Sequence, residues 1–408
     1  MDTLKRFFAA GLREATTGSM VYHAWMALLT FIMCCGAWAY TVQLRHGLGV
    51  TGMHDHVSWG FYISNFTFLV GVAAAAVILV MPAYVLKDQD FRSAVLIGEA
   101  MAVGALVMAI AFVVVDVGGP ARLWHLLPIV GRINFPRSLL AWDIVVLNGY
   151  LVLNASVPFY LLYCHWRGRE ANKKLYIPVV LLSIGWAVSL HLVTAFLYAG
   201  LPARPYWNTS LMGPRFLATA FTAGPALMIL VLTLISRYGG YPVAKATIDK
   251  LSLVVTVAAQ ICVVMSISEL FVEFYRSTHH GLSARYLFFG IGEKRQLVPY
   301  IWSSFALIGG AAVLLTVHRL REQFLHLACV MLFFGILIEK GLGTIIPGFI
   351  PEPWGRIDEY APTWVEFTVG AGIWALGSFV FTVLAKVAIP IEMGRLRDSD
   401  SARDPVTG

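Results

Sequence analysis

The stretch VLIGEAMAVGALVMAIAFVVVD (95–116) is continuously apolar except for Glu99 and its last residue, Asp116. A membrane-spanning helix needs about 20 such residues, whereas a barrel strand alternates apolar and polar positions. Nine further runs of this kind occur at 20–43, 59–86, 141–165, 176–200, 215–236, 252–275, 298–316, 324–347 and 363–388. The sequence therefore predicts an all-α polytopic membrane protein with ten transmembrane helices.

Composition and charge agree with a membrane protein. Of the 408 residues, 58% are hydrophobic and 13% are charged, against about 25% charged in a soluble domain. Lys and Arg are more frequent in the N-terminal segment, the even loops and the C-terminal segment than in the odd loops, which predicts that both termini are cytoplasmic. The net charge of +7 then reflects topology and contact with anionic lipids, and no nucleic-acid partner is expected.

Both ends of the chain are more polar than its middle. The start, MDTLKRFFAAGLREATTG (1–18), is short and basic. We expect it to be an interfacial segment and not a cleavable signal, because the apolar run after it is too long for one. The tail after about residue 390 is polar, and we expect it to be disordered.

A weak repeat divides the spans into two groups. HVSWGFYISNFTFLVG (56–71) opens the second span, and MGPRFLATAFTAG (212–224) opens the sixth. The span after each of them ends in acids, Asp116 in one case and Glu269 with Glu273 in the other. We therefore predict two parallel four-helix bundles, spans two to five and six to nine, flanked by spans one and ten. The expected parts are an N-terminal segment with the first span (1–55), the first bundle with the candidate site (56–205), the second bundle (206–350), and the last span with the tail (351–408).

Polar residues of the third and fifth spans cluster toward the odd loops. Asp116 closes the third span, and Arg122 follows in the turn after it, so the two could pair, or the acid could shuttle a proton. In the fifth span, His191, Thr194 and Tyr198 fall on one helical face. Such a face can bind a carbonyl or hydroxyl group and relay a proton. The alternatives are a salt bridge at the helix end and a plain interhelical hydrogen bond.

Other ionisable residues lie inside or at the ends of the later spans. They are Glu269 and Glu273, one helical turn apart, Glu339 beside Lys340, and Glu366 at the start of the last span. A charge in hydrocarbon costs at least about 3 kcal/mol, so these residues either pair with one another, form a proton path or form a mirrored, vestigial site. Glu99 lies in the other half of the third span, about 25 Å from Asp116 along the helix, and would mark the opposite end of such a path.

Metal and haem sites are not expected in this chain. The five cysteines lie in or at the ends of spans, at Cys34, Cys35, Cys164, Cys262 and Cys329. Their spacing fits no zinc or iron–sulfur motif, and we interpret them as packing residues. His23 and His165 lie toward the even loops, whereas His191 lies toward the odd loops. No partner for His191 is therefore expected at matching depth, as bis-histidine ligation of a haem b would require.

Several separated segments resemble the NrfD/PsrC family of quinone-interacting membrane subunits, over nearly the whole chain. These segments are HVSWGFYISNFTFLVG, DVGGPARLW, WDIVVLNGYLVLN (142–154), SLHLVTAFLYAGLP (189–202), EKGLG (339–343) and PTWVEF (362–367). Within the family, the chain is most similar to the ten-span branch that includes DsrP and QrcD, the latter from menaquinone reductase. The resemblance implies an integral subunit of the bacterial inner membrane that binds menaquinone near the outer face and holds no haem or iron–sulfur cluster.

The resemblance also implies partners and site residues. A periplasmic, ferredoxin-like iron–sulfur subunit would dock at the outer face, and the complex would contain a multihaem cytochrome c and a further periplasmic subunit. The helix-end Asp of the family falls on Asp116 and its fifth-span His on His191, with flanking positions at Trp59, Arg122 and Tyr198.

The sequence thus predicts a quinone-binding subunit of a respiratory complex of the sulfate-respiration type, which acts as an oxidoreductase only within that complex. His191 and Asp116 would exchange protons with the quinone, and the residues expected to bind it are Trp59, Arg122, Thr194 and Tyr198. The expected proton path consists of Glu99, Glu269, Glu273, Glu339 and Glu366. A structural anchor for peripheral redox subunits, a secondary transporter with a midplane site and a haem-bearing cytochrome b are the competing hypotheses.

Overall fold

The structure is a computed structural model that describes residues 2–127, 130–275, 281–351 and 354–398. Its helices are α1 (Asp2–Thr16), α2 (Met20–His46), α3 (Phe61–Ala74), α4 (Val77–Val80), α5 (Gln89–Asp116), α6 (Leu139–Trp166), α7 (Lys173–Ala199), α8 (Met212–Tyr238), α9 (Lys245–Tyr275), α10 (Gly281–Phe289), α11 (Val298–Thr316), α12 (His318–Lys340), α13 (Leu342–Ile345) and α14 (Trp364–Glu392). Short 3₁₀ turns and one π-helical turn, Met81–Val85, complete the regular structure of these ranges.

Within the described residues, ten helical segments are long and apolar enough to cross a membrane, which confirms the predicted all-helical fold with ten spans. Helices α5, α9 and α12 begin several residues earlier than expected. Their first turns are polar, so an apolar run does not reveal them. In α12 the backbone departs from helical geometry at Phe324 (φ −117°, ψ 18°), the residue where the predicted span begins.

The contacts between helices are consistent with two groups of four. In the first bundle, α3 contacts α5 and α7, and α6 contacts the same two helices. In the second bundle, α8 contacts α9 and α12, and α11 contacts both of those. Contacts of α8 with α3 and α7 join the two bundles. This pattern is consistent with the predicted pair of bundles, whereas the exact domain limits stay a prediction.

The central helix of the fold is α3. Every residue from Tyr62 to Ala74 is buried, because α5, α7, α8, α12 and α14 all pack against it. A helix buried on all sides is mostly apolar around its whole circumference. Each hydroxyl on it needs a hydrogen-bond partner from a neighbouring helix or from its own backbone. Polar residues of α3 are therefore well placed to build a site between helices.

Helices α2 and α14 pack closely on each other, and α14 also packs on α5, so both flank the first bundle. The crossing of α2 and α14 depends on two glycines. A Cβ added to Gly36 would lie 2.7 Å from the Cα of Gly372. Small residues at such a crossing let two membrane helices approach closely, which strengthens their van der Waals contact.

The alternating direction of the spans gives the molecule two faces. The long-loop face carries the connections between α2 and α3, α5 and α6, α7 and α8, α9 and α11, and α12 and α14. The terminal face carries α1 and the end of α14, which are joined by an ion pair of Lys386 and Glu14 at 3.1 Å. Which face is cytoplasmic stays a prediction from the charge distribution.

Contacts at the terminal face explain the early start of α9. Lys250 forms ion pairs with Asp88 and, at 2.8 Å, with Asp90 at the start of α5. The hydrogen bond from Lys250 lowers the pKa of Asp88 below its ordinary value. Ion pairs with the residues at the start of α5 thus stabilise the beginning of α9, whose own first turns are polar.

Candidate functional site

Two hydroxyl groups join α3 to α7 in the half of the first bundle near the long-loop face. Thr67 and Tyr198 are both fully buried, and their oxygens are 2.6 Å apart. The Thr67 hydroxyl also bonds the Ile63 carbonyl at 2.8 Å. Because a hydroxyl has one hydrogen and the carbonyl can only accept, Tyr198 donates to Thr67. The phenol oxygen of Tyr198 therefore keeps free acceptor capacity.

A carboxylate on α6 is the second polar contact of α7. The Thr194 hydroxyl donates to Asp143 Oδ1 at 2.8 Å and also lies 2.9 Å from the Leu190 carbonyl. Asp143 is only 3% exposed. It was not among the predicted site residues, although an acid just inside the start of an apolar span is a usable signal. The predicted residue Thr194 thus lies in the site with a partner that the sequence analysis missed.

His191 is fully buried, and one of its ring nitrogens has no partner. Its Nδ1 lies 3.0 Å from the Ala187 carbonyl, so Nδ1 carries the hydrogen. Its Nε2 has no hydrogen-bond partner among the described residues. A buried polar atom left unpaired costs about 1–3 kcal/mol, so Nε2 is a ready contact for a ligand. His191 lies eight residues before the end of α7, about 12 Å along the helix.

Asp116, at the end of α5, also has a buried oxygen without a partner in the described ranges, its Oδ1. Arg122 is exposed on the following 3₁₀ turn, and no ion pair joins it to Asp116 in the part of the chain that the structure describes. The predicted pairing of the two residues is therefore not present, and Asp116 is oriented toward the bundle.

Aromatic rings form the wall of this region at the long-loop face. The half-buried Trp59 ring is perpendicular to that of Tyr198, with centroids 5.8 Å apart. It also lies 6.0 Å from Trp207 and 6.0 Å from Phe349. Trp207 is fully buried and donates its indole N–H to the Thr344 carbonyl at 2.8 Å. Trp207 and Phe349 were not predicted, because they come from loops of the second half of the chain.

An arginine organises the acids of the second bundle. Arg215 on α8 forms ion pairs with Glu269 on α9 and Glu339 on α12, and all three residues are at most 9% exposed. The intramembrane pairing considered for these acids is therefore present, through an arginine that was not predicted. Its signal was an Arg at the start of the sixth span.

Two more charged groups surround this ion cluster. Glu273 has a buried oxygen, Oε2, with no partner in the described residues, and it lines a narrow cleft together with Arg215 and Glu269. Lys340 is 2% exposed, and it donates to the Phe216 carbonyl at 3.3 Å while its ammonium lies 4.5 Å from the centre of the Phe216 ring. Lys340 thus contacts α8 between the two bundles.

The remaining predicted acids lie apart from both groups. Glu99 is 4% exposed in the terminal half of α5, and its Oε2 has no partner within the described ranges. Glu366 is fully buried at the start of α14, where it forms a capping box with Thr363. Its other partners are Gly52 and Tyr360, so it is not part of the ion cluster of the second bundle.

The fold and these polar groups define a class: an all-helical, multi-pass membrane protein with polar side chains buried near one face of each bundle. The family model of NrfD, described as polysulphide reductase, matches residues 49–349. The chain belongs to the NrfD family, which confirms the resemblance noted in the sequence.

Relatives of known name agree with this assignment. The chain is 21% identical to a subunit of the selenate reductase of Mesobacillus selenatarsenatis, over 91% of this chain and 95% of the relative. It is 24% identical to the integral membrane subunit of menaquinone reductase of Nitratidesulfovibrio vulgaris, over 88% and 89% of the two chains. It is 25% identical to the integral membrane subunit of an Hdr-like menaquinol oxidoreductase of Archaeoglobus fulgidus, over 56% and 55%.

Proposed function

We propose that this chain is the quinone-binding membrane subunit of a respiratory oxidoreductase complex, with menaquinone or menaquinol as its substrate. The observation that carries the proposal is the fully buried His191, whose Nε2 has no partner among the described residues. The names of two relatives, a menaquinone reductase subunit and a menaquinol oxidoreductase subunit, support the choice of substrate.

The polar groups of the first bundle suit proton exchange with a quinone. Reduction of a quinone takes two electrons and two protons, and each proton ends on one of the two ring oxygens. His191 Nε2 and Asp116 Oδ1 are two buried atoms without partners in the described ranges, and we assign them to the two oxygens as proton-exchanging groups. Tyr198 and the Thr194–Asp143 pair would orient the ring, while Trp59 covers it from the long-loop face.

In this proposal, the electrons would reach the site from a partner subunit. The described residues contain no group of three or more His, Cys, Asp or Glu side chains that could hold a metal ion. We infer that a periplasmic iron–sulfur subunit docks on the long-loop face, because Trp59, His191 and Asp116 all lie in that half of the first bundle. A multihaem cytochrome c and a further periplasmic subunit would complete the electron path, and the long-loop face would then be the periplasmic one.

A proton path would connect the terminal face with the second bundle. Glu99 lies in the terminal half of α5 with an oxygen that no described residue pairs, and Glu273 has another near the long-loop face. Glu269 and Glu339, joined through Arg215, lie in the second bundle at the ends of its helices near that face. If protons follow these acids, turnover of the complex in proteoliposomes generates a membrane potential. Turnover without a potential would remove the proton path and leave the quinone site standing.

Photolabelling tests the location of the quinone site. The intact complex is irradiated with a photoreactive menaquinone analogue, and labelled peptides are identified by mass spectrometry. The proposal expects label in α7 or at the end of α5, displaced by excess menaquinone and weakened by His191→Ala. Displaceable label confined to the second bundle would contradict the proposed site.

One observation favours a second candidate function, a secondary transporter. The α-helical hydrogen bonding of the central helix α3 shows an interruption after Ala74, although Ala75 and Ala76 keep α-helical backbone angles, and the helix continues through α4 into the π-helical turn Met81–Val85. Irregular helices near the midplane are typical of transporters. A transporter exposes its midplane to both faces in turn. Cysteines placed beside the interruption would then react with membrane-impermeant thiol reagents added from either side. If the chain is a quinone-binding subunit instead, the same cysteines should be protected from reagents added on both sides.

A further inference from the structure

A buried carboxylate on α14 holds the segment that carries Trp59. Glu366 is fully buried. Its Oε2 accepts the backbone N–H of Gly52 at 2.7 Å and that of Thr363 at 2.9 Å, and its Oε1 accepts the hydroxyl of Tyr360. Both oxygens are therefore occupied by donors from two different loops of the long-loop face.

Tyr360 extends this contact to the start of the central helix. Its hydroxyl donates to Glu366 and accepts the backbone N–H of Phe61, the first residue of α3, at 2.7 Å. Burial raises the pKa of Tyr360, and the charge of Glu366 raises it further, so the phenol keeps the proton that it donates. Glu366 and Tyr360 thus hold both ends of the segment 52–60, at Gly52 and beside Gly60.

Two glycines let this segment fit closely against the neighbouring loop. A Cβ on Gly52 would lie 2.1 Å from the Ala361 carbonyl oxygen, and a Cβ on Gly60 would lie 2.3 Å from the Tyr360 ring. Any larger residue at either position would push the segment away. Trp59 lies inside the segment, directly before Gly60, so its position against Tyr198 depends on these contacts.

We infer that Glu366 is a positioning residue for the quinone site: together with Tyr360 it holds the segment 52–60 so that Trp59 packs against Tyr198. The inference rests on the proposed quinone site. It also changes the role that the sequence suggested for Glu366. Both oxygens of this carboxylate are held by donors, two amides and a phenol, which suits a fixed clamp better than a proton carrier.

The test compares Glu366→Gln with wild type in the intact complex, by steady-state turnover over a range of menaquinol concentrations. Glutamine keeps one acceptor oxygen but places an NH₂ group against a donor, so the segment loosens. A hydrogen bond to a charged group is lost, and we expect the KM for menaquinol to rise about tenfold with kcat nearly unchanged. The matched control is Glu359→Gln in the same loop. The Glu359 carboxylate accepts the Gln296 N–H at 3.1 Å, and this variant should keep the wild-type KM.

A double variant separates positioning from a general structural effect. If Glu366 acts through Trp59, then Trp59→Phe combined with Glu366→Gln has the same KM as Trp59→Phe alone. If the two substitutions instead raise the KM by factors that multiply in the double variant, the inference is overturned. It is also overturned if Glu366→Gln loses kcat and membrane potential at unchanged KM, a result that would assign Glu366 to the proton path. Should Glu366→Gln fail to assemble, Tyr360→Phe removes one bond to the carboxylate and gives the same test.

Failure of the inference and failure of the proposed site give different results. If Trp59→Phe itself leaves the KM unchanged, the proposed placement of the quinone is wrong, and the positioning role falls with it. If Trp59→Phe raises the KM and Glu366→Gln does not, the site stands and only the role of Glu366 is overturned.

Discussion

Replacing Arg215 by Met should lower the free energy of unfolding by about 3–5 kcal/mol, the usual cost of breaking a buried ion pair by removing one partner. Arg215 joins α8 to Glu269 on α9 and to Glu339 on α12. All three residues are at most 9% exposed, so the carboxylates gain little hydration when the guanidinium is removed. The variant leaves two carboxylates facing each other in a low-dielectric interior, where each destabilises the other.

A triple variant that removes all three charges tests the same reasoning. In the triple variant Arg215→Met, Glu269→Gln, Glu339→Gln, none of these three charges remains. Replacing a whole buried ion cluster with uncharged residues is often neutral or stabilising, so the triple variant should recover most of the stability that the single variant loses.

The assay is equilibrium unfolding of the purified protein in mixed detergent micelles, with denaturing detergent as the titrant. The control is Arg237→Met, an exposed residue of the same helix whose guanidinium lies 5.6 Å from the centre of the Tyr238 ring, and it should stay within about 0.5 kcal/mol of wild type. An Arg215→Met variant as stable as wild type would refute the reasoning, as would a triple variant no more stable than the single one.

Three further predictions concern other parts of the fold. Thr194→Val removes the donor to Asp143 and should cost about 1.5–3 kcal/mol in the same unfolding assay, while Thr194→Ser should not; equal losses would contradict the bond. Gly36→Leu places a side chain against the facing glycine of α14, so the melting temperature should fall, and an unchanged melting temperature would argue against the close crossing. The lysine partner lowers the pKa of Asp88, so its stabilising effect is present above the ordinary value of 3.8 and is lost as the pH falls below it. Thermal unfolding followed against pH should therefore show a steeper acid loss for wild type than for Asp88→Asn, and equal slopes would contradict the role of the pair.

The spans could be predicted because hydropathy is a property of the chain itself. Each run of about 20 apolar residues requires a helix in lipid whatever surrounds it. The starts of α9 and α12 could not be predicted in this way, since their polar first turns lie outside the apolar runs. For α9, the contact of Lys250 with the start of α5 is information that no local pattern contains.

The candidate site was predicted in part for the same reason. Helical periodicity places His191, Thr194 and Tyr198 on one face of α7, and the structure buries all three. Their partners, Asp143 and Thr67, belong to α6 and α3, and periodicity within one helix cannot tell which helices face it. The pairing of Arg215 with two acids depends on the same kind of contact between distant helices.

The most direct test of the quinone site is menaquinol-dependent turnover of the purified, intact complex, compared between wild type and His191→Ala. His326→Ala is the matched control, since His326 bonds Thr233 at 3.1 Å in the terminal half of the second bundle. The account predicts that His191→Ala assembles with all its partners and loses turnover, while the control keeps it. Unchanged turnover in a fully assembled His191→Ala complex would contradict the account, and the chain would then be better described as an anchor for its redox partners.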